Sequence, residues 1–122
     1  MRYVRVTSTL LCAMTLAGAG IGIAHAADDP FIGRWSISPA GCNSFGATAE
    51  TAPLVVTDTT VKWWVSSCTI KKSYRIGEGL YLQAQCSSEG KARVMPIGLQ
   101  LKGKKLHVTW DQTVAGDMQR CR

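Results

Sequence analysis

The chain is poor in the residue types from which catalytic and metal sites are built. Its 122 residues include two histidines, His25 and His107, and no Cys-x-x-Cys pair, which argues against a zinc site. No Ser-His-Asp or Cys-His arrangement can be recognised around His107. Asp111 and Asp117 flank one turn and are better explained as turn residues than as an acid/base pair. We therefore expect a protein that is not an enzyme, with no metal and no cofactor.

Long apolar runs are missing beyond the N-terminal region. Arg2 and Arg5 precede an apolar stretch over residues 6–24, which ends in Ala24-His25-Ala26 before acidic residues. This order is typical of a cleaved secretory signal. No second span of roughly 20 apolar residues follows it. We expect cleavage after Ala26, export to the periplasm or the medium of a bacterium, and no transmembrane segment in the mature chain.

Helical spacing of apolar residues is missing as well, and period-2 alternation takes its place. From Leu54 to Trp110, short apolar/polar alternations are separated by turn residues, which predicts half-buried antiparallel strands. One set of turns gives every strand the same buried face, and a slip of one residue would reverse a strand. These predicted turns are Asp58-Thr59, Ser66-Ser67, Gly77-Glu78-Gly79, Gly90-Lys91 and Gly103-Lys104.

The predicted strands form one all-β domain over residues 27–122. Further strands at Gly33–Ile37 and near Asp117–Cys121 bring the total to eight, and such a meander tends to close into a small barrel. An open sheet or a sandwich is the alternative. The predicted buried face consists of Leu54, Val56, Val61, Trp63, Val65, Ile70, Tyr74, Ile76, Leu80, Leu82, Ala84, Met95, Ile97, Leu99, Leu101, Leu106, Val108 and Trp110.

Four cysteines remain after the predicted cleavage: Cys42, Cys68, Cys86 and Cys121. An even number in a short exported chain indicates two disulfides. The predicted register makes Cys68 and Cys86 inward-facing diagonal neighbours on adjacent strands, which favours pairing them and pairing Cys42 with Cys121. Cys42 lies in the long loop from Ser38 to Ala52, and its pairing with Cys68 or Cys86 is the alternative.

The outward face of the central strands carries aromatic residues between basic ones. In the predicted register, Lys62 faces Lys71, Trp64 faces Thr69, and Arg75 faces Tyr81. Stacking combined with positive charge suits an anionic or sugar-bearing envelope ligand, or a protein target, whereas the modest net charge argues against nucleic acid. The predicted ligand-binding residues are Lys62, Trp64, Lys71, Lys72, Arg75 and Tyr81.

Lys72 belongs to this set because the predicted register turns it inward, beside Val61 and Ala84. A buried ammonium without a partner is costly. Lys72 is therefore expected to pair with a carboxylate, to reach an open end of the barrel, or to line a ligand pocket.

A strand that opens with Gly33-Arg34-Trp35, followed by a meander and a late Arg120, resembles the lipocalin or calycin pattern. In that pattern a Gly-x-Trp opens the barrel and an arginine packs on the tryptophan. Small exported inhibitors of bacterial proteases and of lysozyme look like shortened forms of it. The whole sequence also resembles small exported proteins of alphaproteobacteria, a resemblance that implies no particular activity.

Two functions fit these features. The first is a non-enzymatic exported binding or inhibitor-like module whose partner meets the aromatic and basic outward face. The second is a structural or stress-related envelope protein that associates with anionic surfaces through a basic hairpin tip. This tip carries Lys102, Lys104 and Lys105.

Overall fold

Antiparallel strands, each paired with the next along the chain, form the described part of the protein. The computed structural model describes residues 29–43, 46 and 48–122, so the predicted signal over residues 1–26 and its cleavage site lie outside the described residues. A 3₁₀ helix spans Pro39–Asn43. The eight described strands are β1 Gly33–Ser36, β2 Leu54–Val56, β3 Thr60–Trp63, β4 Ser66–Ile76, β5 Gly79–Ser88, β6 Lys91–Lys102, β7 Lys105–Trp110 and β8 Thr113–Arg120.

The sheet closes because β8 returns to pair with β1. Trp35 lies opposite Arg120, and Ser36 lies opposite Gln119, so every described strand has two neighbours and the barrel has no free edge. The predicted all-β meander is confirmed, and it forms a closed barrel. No helix among the described residues combines the length and the apolar character needed to cross a membrane.

The two ends of the barrel differ. We call the end that holds the turns β3–β4, β5–β6 and β7–β8, together with the loop after β1, the upper end. The lower end holds the other three turns and residues 29–32. Phe31 is 3% exposed and closes the lower end, where its carbonyl accepts a hydrogen bond from Trp35 Nε1 at 3.1 Å.

Apolar side chains fill the barrel, as the alternation predicts. Burying a side chain such as Leu or Ile contributes about 1.5–3 kcal/mol relative to leaving it exposed, so this layer supplies the main drive for closure. The fully buried members include Trp35, Leu54, Val61, Ile97, Leu99, Leu106, Val108 and Met118.

The predicted turns at Asp58-Thr59 and Gly103-Lys104 are confirmed. The β5–β6 turn differs from the prediction, but the same side chains still face the interior of the barrel. Val56 pairs with Val61 and Leu101 with Leu106, as expected. The β5–β6 turn lies at Glu89-Gly90, not at Gly90-Lys91, and both of its residues have positive φ, as a type I′ turn requires. Because the partners shift by two residues, the inward side chains remain inward.

The β3–β4 turn lies at Trp64-Val65, where Trp63 pairs with Ser66, and not at Ser66-Ser67. Val65, predicted to be buried, is 44% exposed because it belongs to the turn. The partners again shift by an even number of residues, so Cys68 remains buried. The predicted pairs of Lys62 with Lys71 and of Trp64 with Thr69 are wrong, since Lys62 lies opposite Ser67.

A bulge in β4 corrects the prediction for the β4–β5 hairpin. The turn has two residues, Gly77-Glu78, and the register shifts between Ile70 and Lys72, which leaves Lys71 as the extra residue of a β-bulge. Beyond it the faces of β4 reverse. Residues predicted to be inward therefore point outward and are exposed: Lys72, Tyr74 and Ile76.

Two disulfides staple the barrel, with the favoured pairing. Cys68 and Cys86 lie directly opposite each other with Cα atoms 3.9 Å apart, and not diagonally as expected, because the two-residue turn and the bulge together shift the β4–β5 register by two residues from the prediction. Cys42 joins Cys121 across 79 residues. This second disulfide ties the loop after β1 to the end of β8.

Candidate functional site

The six predicted ligand-binding residues do not share one surface. Lys62 and Trp64 line a hollow at the upper end of the barrel. Arg75 lies at the lower end, opposite Leu80 and not opposite Tyr81. The remaining three, Lys71, Lys72 and Tyr81, are exposed on β4 and β5.

The hollow is built on a row of outward side chains across β1, β2 and β3. Arg34 lies opposite Val55, and Val55 lies opposite Lys62. Neighbouring strands are about 4.8 Å apart, so the backbones that carry the two cations are separated by roughly 10 Å. Their long side chains flank one strand and can converge on a ligand above it.

Loop residues complete the hollow, whose volume is about 400 Å³. This volume lies within the range of small-molecule sites. Among the described residues, its lining contains two cationic side chains and no carboxylate, so its charge favours an anion. The lining residues are Arg34, Cys42, Asn43, Ala52, Pro53, Lys62, Trp63 and Trp64.

The guanidinium of Arg34 is held in place by the loop. Its Nη2 donates a hydrogen bond to the carbonyl of Cys42 at 3.1 Å, and the backbone amide of Cys121 donates to the carbonyl of Arg34 at 2.8 Å. The Cys42–Cys121 disulfide joins these two partners. Since a guanidinium has five N–H donors, Arg34 keeps donors for a ligand.

Trp64 is an unusual residue at the tip of a two-residue turn. Its φ of 52° lies in the left-handed region, which costs free energy for a bulky side chain. Its side chain is also 52% exposed. A large apolar side chain held in a strained and exposed position is typical of a binding residue.

Trp64 also borders an apolar groove of about 460 Å³ at the upper end. The groove runs beside Trp63 and Trp110, whose rings pack edge to face with centroids 5.3 Å apart. Trp63 Nε1 donates a hydrogen bond to the carbonyl of Ala49 at 3.1 Å, which fixes this ring. Val65 and Val114, both exposed, form part of the rim.

Comparison of the chain with protein-family models, with curated proteins and with solved structures finds no match in any of the three.

Arg75 stabilises the segment that closes the lower end of the barrel. It forms an ion pair with Asp29, and its guanidinium carbon lies 5.4 Å from the centroid of the Phe31 ring. Arg120 acts alongside it, since its guanidinium lies 4.3 Å from the Trp35 ring centroid and donates to the carbonyl of Ile32 at 2.8 Å. The two arginines hold the segment that closes this end.

The two aspartates that the sequence pattern assigns to a turn have separate partners, and Asp117 lies within β8 and not in the turn. Asp111 forms an ion pair with Arg93. Asp117 accepts a hydrogen bond from His107 Nδ1 at 2.6 Å, and this bond lowers the pKa of Asp117. Within the described range, no group of three His, Cys, Asp or Glu side chains is arranged to hold a metal ion.

Arg34 is the site residue that the sequence reasoning missed. The alternation of Gly33-Arg34-Trp35 already predicts that Arg34 points outward when Trp35 points inward. The residue that lies opposite Arg34 on β2 could not be predicted, because a long loop separates β1 from β2 in the sequence. The row from Arg34 to Lys62 depends on that pairing.

Proposed function

We propose that the protein is an exported, non-enzymatic binding module that takes an anionic ligand in the hollow of Arg34, Lys62 and Trp64. The observation that carries this proposal is the pairing of two cations with an exposed indole in a concave site whose described lining residues include no carboxylate. The cations suit an anionic group, and the indole face suits a ring stacked beside it. An acidic sugar combines both features.

The preorganisation of the site supports the same function. Arg34 is oriented by Cys42, and Trp64 is fixed at a tight turn between two paired strands. A site whose side chains are already ordered loses less conformational entropy on binding. The unfavourable backbone conformation of Trp64 then serves to hold the indole in its binding position.

The test compares two ligands with the same sugar backbone, one with free carboxylates and one with these groups neutralised as methyl esters. Tetragalacturonate and its fully methyl-esterified form are titrated separately into the protein, and tryptophan fluorescence is recorded. We expect the acid to bind and to change the emission of the exposed Trp64. We expect the neutral ester to bind at least about tenfold more weakly, a difference of roughly 1.4 kcal/mol, and the affinity of the acid to fall as salt rises.

Variants separate charge from stacking. Arg34→Gln with Lys62→Gln removes both cations and is expected to abolish the preference for the acid. Trp64→Ala weakens binding of both forms, whereas Lys91→Gln, an exposed cation outside the hollow, serves as the control. Equal affinities for the acid and the ester in the unaltered protein would reject the proposal.

Export and the family relationship are parts of the same proposal. Two disulfides are typical of proteins in an oxidising compartment, which supports export. Cleavage after Ala26 is proposed from the sequence alone. The packing of Arg120 on Trp35 supports the resemblance to lipocalin-type barrels and to their short inhibitor-like forms. We infer a bacterial envelope or secreted protein from these features together.

A second candidate function is association with an anionic surface through the β6–β7 tip. Lys102 lies directly opposite Lys105, and like charges in that position repel unless an anionic partner screens them. Lys104 is exposed in the turn between them. Co-sedimentation with vesicles containing phosphatidylglycerol tests this candidate, with loss of binding expected for Lys102→Gln, Lys104→Gln and Lys105→Gln combined. Binding that persists in this variant would contradict it.

A further inference from the structure

A second groove lies on the outer face of β4 to β7, whereas the hollow lies on β1 to β3. Its axis is a single cross-strand row in which Tyr74 lies opposite Tyr81, Tyr81 opposite Gly98, and Gly98 opposite Thr109. The groove has a volume of about 300 Å³ and is also lined by Gln83, Pro96 and Gln112. No side chain in this lining carries a charge, so the groove suits a neutral ligand.

The Tyr81 ring lies over two glycines of the sheet. A Cβ placed on Gly79 would lie 2.9 Å from Tyr81 Cε2 and 3.1 Å from its hydroxyl oxygen, and a Cβ on Gly98 would lie 3.8 Å from Tyr81 Cδ1, so the ring leans along the sheet over positions that lack side chains. Its outer side remains open, because Tyr81 is 44% exposed. Tyr74, 51% exposed, stands beside it and extends the aromatic surface.

The floor of the groove is made by two residues that strands generally avoid. Pro96 and Gly98 both point outward from the interior of β6. Proline cannot donate a ladder hydrogen bond, and glycine weakens a strand, so glycine in a strand often marks a place that another molecule approaches closely. Here the two residues keep the floor low between the tyrosines and Thr109.

We propose that this groove binds a neutral pyranose of a carbohydrate chain. The apolar face of the sugar would stack on the Tyr81 ring, and its hydroxyls would reach the amides of Gln83 and Gln112 and the hydroxyl of Thr109. A ring that leans along the sheet suits a stacked sugar better than a proline-rich peptide, which inserts between aromatic side chains that stand up from the surface. The proposal is independent of the hollow.

The test is a titration of ¹⁵N-labelled protein with cellotetraose, maltotetraose and chitotetraose, followed by two-dimensional NMR. We expect at least one of these neutral oligosaccharides to bind and to shift the amides of Tyr81, Gly98 and Thr109 most strongly. Tyr81→Ala is expected to weaken that binding about tenfold, because the stacking surface is lost.

Gly98→Val provides a variant that blocks the groove and keeps the fold. A Cβ at Gly98 would lie 3.5 Å from Thr109 Cβ and 3.8 Å from Tyr81 Cδ1, which are ordinary contacts, so the β-carbon fits. The γ-methyl groups of valine would extend further into the groove, and valine favours strands. Its thermal unfolding should match that of the unaltered protein while oligosaccharide binding is lost. Lys72→Ala, on the same face outside the lining, should bind normally.

Three results would overturn the proposal. The first is that none of the oligosaccharides shifts any amide. The second is that the shifts cluster away from the row of Tyr81, Gly98 and Thr109. The third is that a hexaproline peptide binds in the groove and the sugars do not, which would identify a peptide site instead.

Discussion

Among single residues, Ser36 has a buried hydroxyl group for which the described residues provide no hydrogen-bond partner. The side chain is 0% exposed. A buried polar group left unpaired costs about 1–3 kcal/mol. We predict that Ser36→Ala leaves the free energy of unfolding in urea unchanged or raises it by about 1 kcal/mol.

Gly41→Ala tests the packing around the same hydroxyl group and is expected to have the opposite effect on stability. A Cβ on Gly41 would lie 2.1 Å from Ser36 Oγ, so this change should lower the free energy of unfolding. A clear loss of stability in Ser36→Ala would show that the hydroxyl has a structural partner.

The Asp117–His107 pair gives a prediction about pH. The hydrogen bond from His107 lowers the pKa of Asp117, and the charges of His107, Lys102 and Lys105 act in the same direction, against the opposing effect of desolvation. The stabilisation is present above the ordinary aspartate pKa of about 3.9, and it is lost as the pH falls through the lowered value. In His107→Ala, a carboxyl NMR titration should show the pKa of Asp117 rising toward its ordinary value. An unchanged titration would remove the hydrogen bond as the cause.

At the scale of elements, errors in register had very different consequences. At the β3–β4 and β5–β6 turns, the strand partners differ from the prediction by an even number of residues, and Cys68 and Met95 stay buried. In β4 a single extra residue, Lys71, reverses the faces of Tyr74 and Ile76. Turn residues such as Gly103 can be read from the sequence, but a bulge depends on cross-strand packing that local patterns do not contain.

Deleting residues from β4 tests the bulge. Removal of Lys71 should leave a regular ladder in which Ile70 still faces Ala84 and Lys72 still faces Gln83. Removal of Ser73 should instead turn Tyr74 or Lys72 toward the core, and the protein should lose more stability. Thermal unfolding of the two deletion variants is the measurement, and equal losses would contradict the bulge.

The two disulfides are expected to differ in function. Replacing Cys42 and Cys121 with alanine should cost about 4 kcal/mol of stability by opening a long loop, and it should also weaken tetragalacturonate binding because Arg34 loses its support. Replacing Cys68 and Cys86 should cost about 3 kcal/mol from loop closure, with a further loss from the core, and should leave binding unchanged. Isothermal titration calorimetry on both variants distinguishes them, and an unchanged affinity in the first would contradict the linkage.

At the scale of the whole molecule, the barrel could be predicted and the grouping of its surface residues could not. Alternation and turn chemistry indicate which side chains face inward, and Trp35, Leu54 and Leu99 are buried as expected. The surface sites depend on which strands become neighbours after closure and on where β4 bulges. That is why Lys62 and Trp64 share a site with Arg34, whereas Arg75 and Tyr81 lie elsewhere.

The two candidate binding surfaces differ in charge. The hollow on β1 to β3 is lined by cations, whereas the groove on β4 to β7 has an uncharged lining. An acidic ligand and a neutral one should therefore select different faces of the same barrel. Neither site uses the interior, which is occupied by packed side chains.

The most direct test of the anion site is a two-dimensional NMR map of the ¹⁵N-labelled protein during titration with tetragalacturonate. We expect the largest changes at the amides of Arg34 and Lys62 and at the indole of Trp64, and we expect these changes to decrease as salt is added. Largest changes at any other surface, or an equal response to the neutral methyl ester, would contradict it.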